Sequence, residues 1–532
     1  MKTQRHPGGL YLLSFTQMAE RFSYYGMRAI LLYYLIAAFY SYENASRLYG
    51  SFLSLVYLTP LIGGYIADKY WGKRRSIITG GIIMSIGYFL LFASACIVKP
   101  TITTEVNNTL SLILFLTGLG VLIIGTGFWK PAVSSSVGDL YDKNDERTES
   151  AFAIFYGLFN IGCFLAPLLC GLLSKGASDS NPGAYKWGFL CAAVAMVISV
   201  AVFGIWKNRY LVSPDGKPFG LAPVNEKKYS NEVLKSGRTA VRNSPVRLWG
   251  CIIGAVILTV LFSLFSHNNS GGAIDVNCII DAVIYAASVA IPILILTDKG
   301  LTPKEKKGIG VILITTGISV IFWSLYEQAG SSLSEIAKNQ CDRSIGNYEI
   351  QPEFFQCINP LAIFLVYSLV ERIWAFLRER KKEPSIPVKQ GIGMIIMALG
   401  YLFIAFGARG VSETSKLSFS WIFWLYVIHA IAELCLSPVG QDLVTKLSPK
   451  RMATLLMSVY FLGSAVSGVF SGRLAALLPT TENPIHHFMG FEISSLSSFM
   501  LVFAILGGVA GIILLVLCPK LERMMDEAMD NS

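Results

Sequence analysis

The chain is poor in charge. Only 15% of its 532 residues are Asp, Glu, Lys or Arg, against about 25% in water-soluble domains. Histidine is scarcer still, at five residues, and the ten cysteines include no C-x-x-C pair, so neither a metal cage nor a disulfide scaffold organises the fold. No G-x-x-x-x-G-K-[ST], H-E-x-x-H or G-x-S-x-G run occurs. Nucleotide-driven pumping and the common hydrolase sites are therefore absent as motifs. What the chain has in their place is apolar length, with 53% hydrophobic residues arriving in blocks of about 18–25, the run a helix needs to cross a bilayer core of about 30 Å. The composition is that of a polytopic α-helical membrane protein.

Reading apolar blocks between polar breaks gives fourteen spans, near 10–40, 47–68, 76–98, 110–130, 151–174, 187–206, 248–266, 277–297, 309–337, 359–377, 391–407, 418–440, 453–477 and 496–518. An even count puts both termini on one side of the membrane. The stretches on that side, including 69–75, 207–247, 298–307 and 378–389, hold about 31 of the 44 Lys and Arg residues, and the opposite loops about 7. The positive-inside rule then makes both termini cytoplasmic. The layout divides into an N-terminal six-helix bundle over 1–206, a cytoplasmic linker over 207–247, two additional spans over 248–297 and a C-terminal six-helix bundle over 298–532. Six plus six is the plan of transporters that rock around a midplane site.

A few charges fall inside spans: Glu20, Arg21, Arg28, Lys130, Glu327 and Glu433. Each costs at least about 2.5–3.5 kcal/mol at bilayer depth, so it needs a wet cavity or a partner. In span 1, Gln17, Arg21, Tyr24 and Arg28 share one helical line, with Glu20 beside them and Met18, Phe22 and Ala29 off it. Lys130 is expected at the end of span 4, beside Pro131. Trp323 and Glu327 share a face of the span over 309–337, and His429, Glu433 and Ser437 stack at i, i+4 and i+8, with Pro438 expected to break their helix. The two halves differ in sign, cations in the first and carboxylates in the second. That pattern suits a ligand carrying both charges, such as a di- or tripeptide whose ends lie about 7–11 Å apart on a reach of about 3.3–3.6 Å per residue. The residues alone leave open a transporter of another small organic anion or nitrate, and ordinary packing for Trp323 and the tyrosines. His429 is either a satisfied core histidine or a proton relay. Cys341 and Cys357 share one outer loop, where a disulfide would close a ring of 17 residues.

The run ERFSYYGMRAILLYYL (20–35) closely resembles the span-1 signature of the proton-dependent oligopeptide transporter family within the major facilitator superfamily. Further matches, in family order, are 63-GGYIADKYWGKRR-75, 125-GTGFWKPAVSSSVGDLY-141, 155-FYGLFNIGCFLAP-167, 322-FWSLYEQ-328, 358-INPL-361 and 433-ELCLSPVG-440. The resemblance implies a major facilitator fold and a secondary active symporter that imports di- and tripeptides with protons, not an enzyme. It implies no cofactor beyond the coupling proton and no nucleic-acid partner. The setting is the lipid bilayer of a bacterial inner membrane, with a monomer as the expected unit. It also implies roles: Arg21, Arg28 and Lys130 for the peptide carboxylate, with Tyr24, Tyr25, Tyr57 and Asn160 nearby. Glu433 would take the ammonium, helped by Asn359 and Ser437, and Trp323 would line a side-chain pocket. Glu20 and Glu327 would couple protons through pairs with Arg21 and Lys130. Three positions depart from the family pattern: Gln17 replaces a glutamate, Gln441 and Asp442 replace Leu-Ser, and Tyr460 replaces a tryptophan.

Overall fold

The structure is a computed structural model, and it describes residues 6–100, 108–141, 145, 147–213, 216–221, 245–270, 276–298, 300–411, 415–449 and 452–529. The helices, in chain order, are α1 (Gly8–Ala38), α2 (Tyr42–Ile66), α3 (Lys73–Ile97), α4 (Thr109–Gly138), α5 (Arg147–Leu173), α6 (Lys186–Tyr210), α7 (Pro245–Ser270), α8 (Val276–Leu296) and α9 (Pro303–Tyr326). The short α10 (Ser332–Asn339) precedes α11 (Ile358–Glu379), α12 (Ile386–Gly407), α13 (Phe419–Leu447), α14 (Ala453–Ala475) and α15 (Leu496–Met529). Eleven helical segments among the described residues are long and apolar enough to cross a membrane. The exceptions are informative. The stretch that α1 would place in lipid carries Glu20, Arg21 and Arg28, so its polar content pulls it below the apolarity of its neighbours.

Local chemistry sets the helix ends. The α9 helix starts on a capping box: the Thr302 hydroxyl accepts the Glu305 N–H, the Glu305 carboxylate accepts the Thr302 N–H, and Pro303 occupies the first turn, where no N–H is needed. Between α2 and α3 a π-helical turn (Ala67–Trp71) closes on Gly72 at φ 72°, a left-handed conformation that glycine adopts without steric cost. There Lys73 pairs with Asp139 at 2.5 Å, and the buried Arg74 donates to the carbonyls of Leu211 and Phe219. The start of the 207–247 linker is thus fastened to α3, and residues 222–244 of it lie outside the described residues.

The chain divides into two compact units. The first comprises 1–45, 55–224 and 329–364. Within it α3 packs along α4, and α1 packs on α5 and α6. Glycines set the α3–α4 spacing: a Cβ on Gly80 would lie 2.8 Å from the Gly125 carbonyl oxygen, and one on Gly118 would lie 3.0 Å from that of Gly87. Small residues at such positions let backbones touch, the main route to helix association in lipid. A short 3-10 turn (Pro352–Cys357) lies against α5.

The second unit comprises 46–54, 225–328 and 365–532. In it α12 packs on α13 and α15, α9 packs on α14 and α15, and α7 packs on α8. The α8 helix also meets α14, where Arg473 donates from Nε (2.8 Å) and Nη2 (2.6 Å) to Asp281 Oδ2. The asymmetry of this pair is testable. Asp281 is buried, whereas the Arg473 side chain is 42% exposed. Arg473→Gln leaves a buried carboxylate without its guanidinium and should cost about 3 kcal/mol. Asp281→Asn leaves a guanidinium that can turn to water and should cost about 1 kcal/mol. Thermal unfolding of the two variants in detergent gives the order. Outside the spans, Arg378 and Lys389 donate to Glu383 and hold its carboxyl down to about 2. This depressed carboxyl contributes stability above its ordinary value, lost only as pH falls towards 2.

Four expectations from the sequence are corrected. Lys130 does not end its helix, because α4 continues to Gly138 with Pro131 inside it. The apolar block over 309–337 is not one helix: α9 stops at Tyr326, a 3-10 turn (Glu327–Gly330) follows, and α10 begins at Ser332. Pro438 does not break α13, which runs as one helix over Phe419–Leu447. Cys341 and Cys357 are thiols, not a disulfide. Cys341 donates to the Asp342 carbonyl at 3.5 Å, whereas Cys357 meets the Leu168 backbone of α5, so each is engaged by a different element.

Candidate functional site

The polar residues of α1 are buried, whereas Met18 and Phe22, off the stripe, are half-buried and Tyr11 and Phe15 are exposed. Ala29, off the stripe, is as buried as Arg21 and Arg28, because α1 is covered by α4, α5 and α6. Burial of Glu20, Arg21 and Arg28 makes the pairing of their charges decisive. Arg21 donates from Nε to Glu20 Oε2 at 2.6 Å and from Nη2 to Glu20 Oε1 at 2.7 Å. Both side chains are nearly inaccessible, Glu20 completely so. The sequence-expected pair of Glu20 with Arg21 is therefore present, between adjacent residues of one helix.

Aromatic rings face Arg21, Arg28 and Lys130 in the first unit. The Arg21 guanidinium lies 5.1 Å from the centre of the Tyr24 ring and 5.4 Å from that of Phe159. Arg28 lies 5.6 Å from Tyr25, and Lys130 is 4.3 Å from Tyr57 and 5.6 Å from Tyr24. Tyr24 and Tyr25 meet edge to face. Electron-rich faces stabilise a desolvated cation by about 2 kcal/mol. Asn160, also buried, donates its amide to the Tyr156 carbonyl at 2.9 Å. Asn359 stands in the first turn of α11, in the same unit, and is buried.

In the second unit Trp323 occupies the last turn of α9 among Phe322 and Tyr326, at ring separations of 5.3 and 5.4 Å. Its indole N–H has no acceptor among the described residues. Glu327 opens the 3-10 turn and is 4% exposed. Gln328 fixes that turn by donating to the Ser324 and Ser471 carbonyls. Glu433 lies on α13 and is 9% exposed. The side chain of Ser437 lies outside the described residues. His429, one turn before Glu433, is fully buried against the Tyr401 ring at 4.8 Å, and neither ring nitrogen has a partner among the described residues.

Sequence reasoning overlooked some polar partners. Trp129 is fully buried, and its indole donates to Gln17 Oε1 at 3.3 Å, which gives the quoted GTGFWKP run a second function beside Lys130. Glu335 and Glu353 are buried in the first unit, each with one carboxylate oxygen lacking a partner among the described residues. Glu335 falls near the end of the block over 309–337, in the short α10, and Glu353 in the 3-10 turn between that block and the next.

These features can be set beside known proteins. A family model described as POT family matches residues 74–489. The "Uncharacterized transporter YclF" of Bacillus subtilis (strain 168) is 32% identical over 98% of this chain and 95% of its own length. A "Di-/tripeptide transporter" of Lactococcus lactis subsp. cremoris is 28% identical over 98% of this chain and 97% of its own. Among solved structures, a peptide transporter POT variant in complex with alafosfalin superposes with a TM-score of 0.75 at 26% identity, covering 99% of this chain and 97% of that one. A POT family transporter in complex with 5-aminolevulinic acid gives 0.74 at 26%, covering 97% of each. Likeness in sequence and likeness in fold extend over the same, nearly complete length. The chain therefore belongs to the POT family and is a multi-pass membrane transporter, not an enzyme.

Proposed function

We propose that the chain imports di- and tripeptides together with protons by alternating access. The observation that carries this reading is the buried carboxylate of Glu433 in a protein that also buries Arg21 and Arg28. A site for an anion alone gains nothing from keeping that carboxylate desolvated. A ligand with an ammonium and a carboxylate supplies a partner for each sign. Arg21, Arg28 and Lys130 bind the carboxylate end, with Tyr24, Tyr25, Tyr57 and Asn160 shaping that subsite. Glu433 binds the ammonium with Asn359 and Ser437, and Trp323 borders a side-chain pocket. The Lactococcus relative's name, "Di-/tripeptide transporter", supports peptides as the substrate class. The protein works as a monomer in the bacterial inner membrane, both termini cytoplasmic, and needs no cofactor beyond the proton.

Protons supply the drive. One net charge moved through 100 mV is worth about 2.3 kcal/mol, enough for about fiftyfold accumulation at perfect coupling. Glu327 and Glu20 are the carboxylates of the proposed coupling step. Protonation, or the arriving peptide carboxylate, competes for the cations and favours the other arrangement of the transporter. Uptake of radiolabelled dialanine into proteoliposomes, with and without an inward proton gradient, tests the reading. Uptake should rise with the gradient. Equal rates in the two conditions reject coupling, and no uptake in either rejects the substrate.

A further inference from the structure

Arg21 is held by two sets of contacts that belong to different helices. The first set lies on α1 itself. Glu20 accepts from its Nε and Nη2, and the Tyr24 ring stands 5.1 Å from its guanidinium carbon. Contacts within one helix fix Arg21 against its own backbone and leave its place relative to other helices undetermined. The second set comes from α5. The Phe159 ring lies 5.4 Å from the same carbon, and Tyr156, one turn earlier, stacks on Phe159 at 5.7 Å with the ring planes 12° apart. Phe159 is half-buried and Arg21 is 5% exposed. The cation therefore meets this ring largely desolvated, where such a contact is worth most.

The backbone explains why ring and cation meet. A Cβ on Gly162 would lie 2.4 Å from the Met18 carbonyl oxygen, so α5 touches α1 there backbone to backbone. Further along both helices, a Cβ on Gly26 would lie 2.4 Å from Cys170 Sγ and 3.5 Å from the Ala166 carbonyl oxygen. The two helices thus run side by side. Helical side chains lean towards the N-terminus, so Arg21, three residues past Met18, reaches back towards Phe159, three residues before Gly162. The next residue on α5 is the buried Asn160, whose amide donates to the Tyr156 carbonyl at 2.9 Å. One turn of α5 carries both the ring that faces Arg21 and this amide.

We propose that Phe159 is a positioning residue for the carboxylate subsite: buttressed by Tyr156, it holds the Arg21 guanidinium to α5 in one orientation, and affinity for the peptide depends on it. This deepens the transport reading, on which it rests. A phenylalanine ring presents a face and no acceptor atom, so it orients the guanidinium without taking a hydrogen bond from it. Glu20 and Tyr24 move with α1, whereas Phe159 ties Arg21 to the helix that bears Asn160. An aliphatic side chain of similar size would fill the space and give no such orientation.

Uptake kinetics of the full chain in proteoliposomes decide it. Phe159→Leu should raise KM for dialanine about tenfold, the worth of a largely desolvated cation–ring contact, and should act on KM rather than on the maximal rate. Phe159→Tyr keeps the aromatic face and should retain the wild-type KM. Dialaninamide lacks the carboxylate, so its inhibition constant should be the same in Phe159→Leu as in the wild type. An unaltered KM in Phe159→Leu overturns the proposal. So does an equal loss for dialanine and its amide, which is the mark of a merely structural role. Phe159→Met, also without a ring, takes the place of the leucine variant if that one does not fold. If the wild type transports no dialanine, the peptide reading fails, and nitrogen-15 spectra of arginine-labelled protein still judge this one. The Arg21 Nε signal, assigned by its loss in Arg21→Lys, should shift in Phe159→Leu and stay in place in Phe159→Tyr. A signal unmoved in Phe159→Leu overturns it.

Discussion

Glu433→Gln should reduce dialanine uptake by about 100-fold, the value of a charge-assisted hydrogen bond of about 1.5–3 kcal/mol, with the protein still folded. The substitution keeps the shape of the side chain and removes only its charge. Glu433 is 9% exposed on a helix that packs along α12, so its carboxylate is largely desolvated, and a desolvated carboxylate attracts an ammonium more strongly than one in water. The control is in the ligand. Acetyl-dialanine lacks the ammonium, so the wild type should discriminate against it by the same factor. In Glu433→Gln that discrimination should vanish, because the two changes remove one interaction. Dialanine uptake unaltered by Glu433→Gln would show that the ammonium binds elsewhere and would favour a substrate recognised by its negative charge alone. Uptake of a small carboxylate without an amine, measured in the same vesicles, separates these outcomes.

The sequence made the chain's membrane character, its helix order and most of its buried charges readable, because transfer to lipid is a sum over residues and a 20-residue apolar block registers whatever its neighbours do. Helix ends were less readable. Lipid stops favouring the chain near Lys130, yet α4 continues to Gly138 because its backbone hydrogen bonds do not depend on lipid. The same holds for α13, which continues past Glu433 to Leu447. Conversely, the block over 309–337 reads as one span by hydropathy, but Gly330 and the serines after it permit the turn that places Glu327 at a helix end. The α1 stripe was visible as a spacing of charges. What those charges pair with was not, since the orientation of Gln17 is set by Trp129, 112 residues away. Contacts of that kind are properties of packing, which a single sequence records only as scattered small and aromatic residues.

The glycine pair Gly63–Gly64 turns that point into an experiment with opposite outcomes at neighbouring positions. A Cβ on Gly63 would lie 2.1 Å from the Gly127 carbonyl oxygen and 2.8 Å from the Phe128 nitrogen. Those are backbone atoms of α4, and they cannot rotate away as a side chain can. A Cβ on Gly64 would meet Pro131 at 3.4 Å, an ordinary contact. Gly64→Ala should therefore be neutral, or stabilising by about 0.5–1 kcal/mol, the gain of alanine over glycine inside a helix. Gly63→Ala must push α2 away from α4, an overpacking cost of about 3 kcal/mol or more. The displacement acts on the site itself. Tyr57 lies on α2 with Lys130 4.3 Å from its ring, and Thr59 ties α2 to α4 by donating to the Ile123 carbonyl at 2.8 Å. Moving α2 takes the aromatic face from Lys130, so Gly63→Ala should lose uptake along with melting temperature, while Gly64→Ala keeps both. If Gly63→Ala matches the wild type in unfolding and transport, α2 and α4 are not in backbone contact at Gly63, and the Tyr57–Lys130 subsite built on that contact would have to be given up.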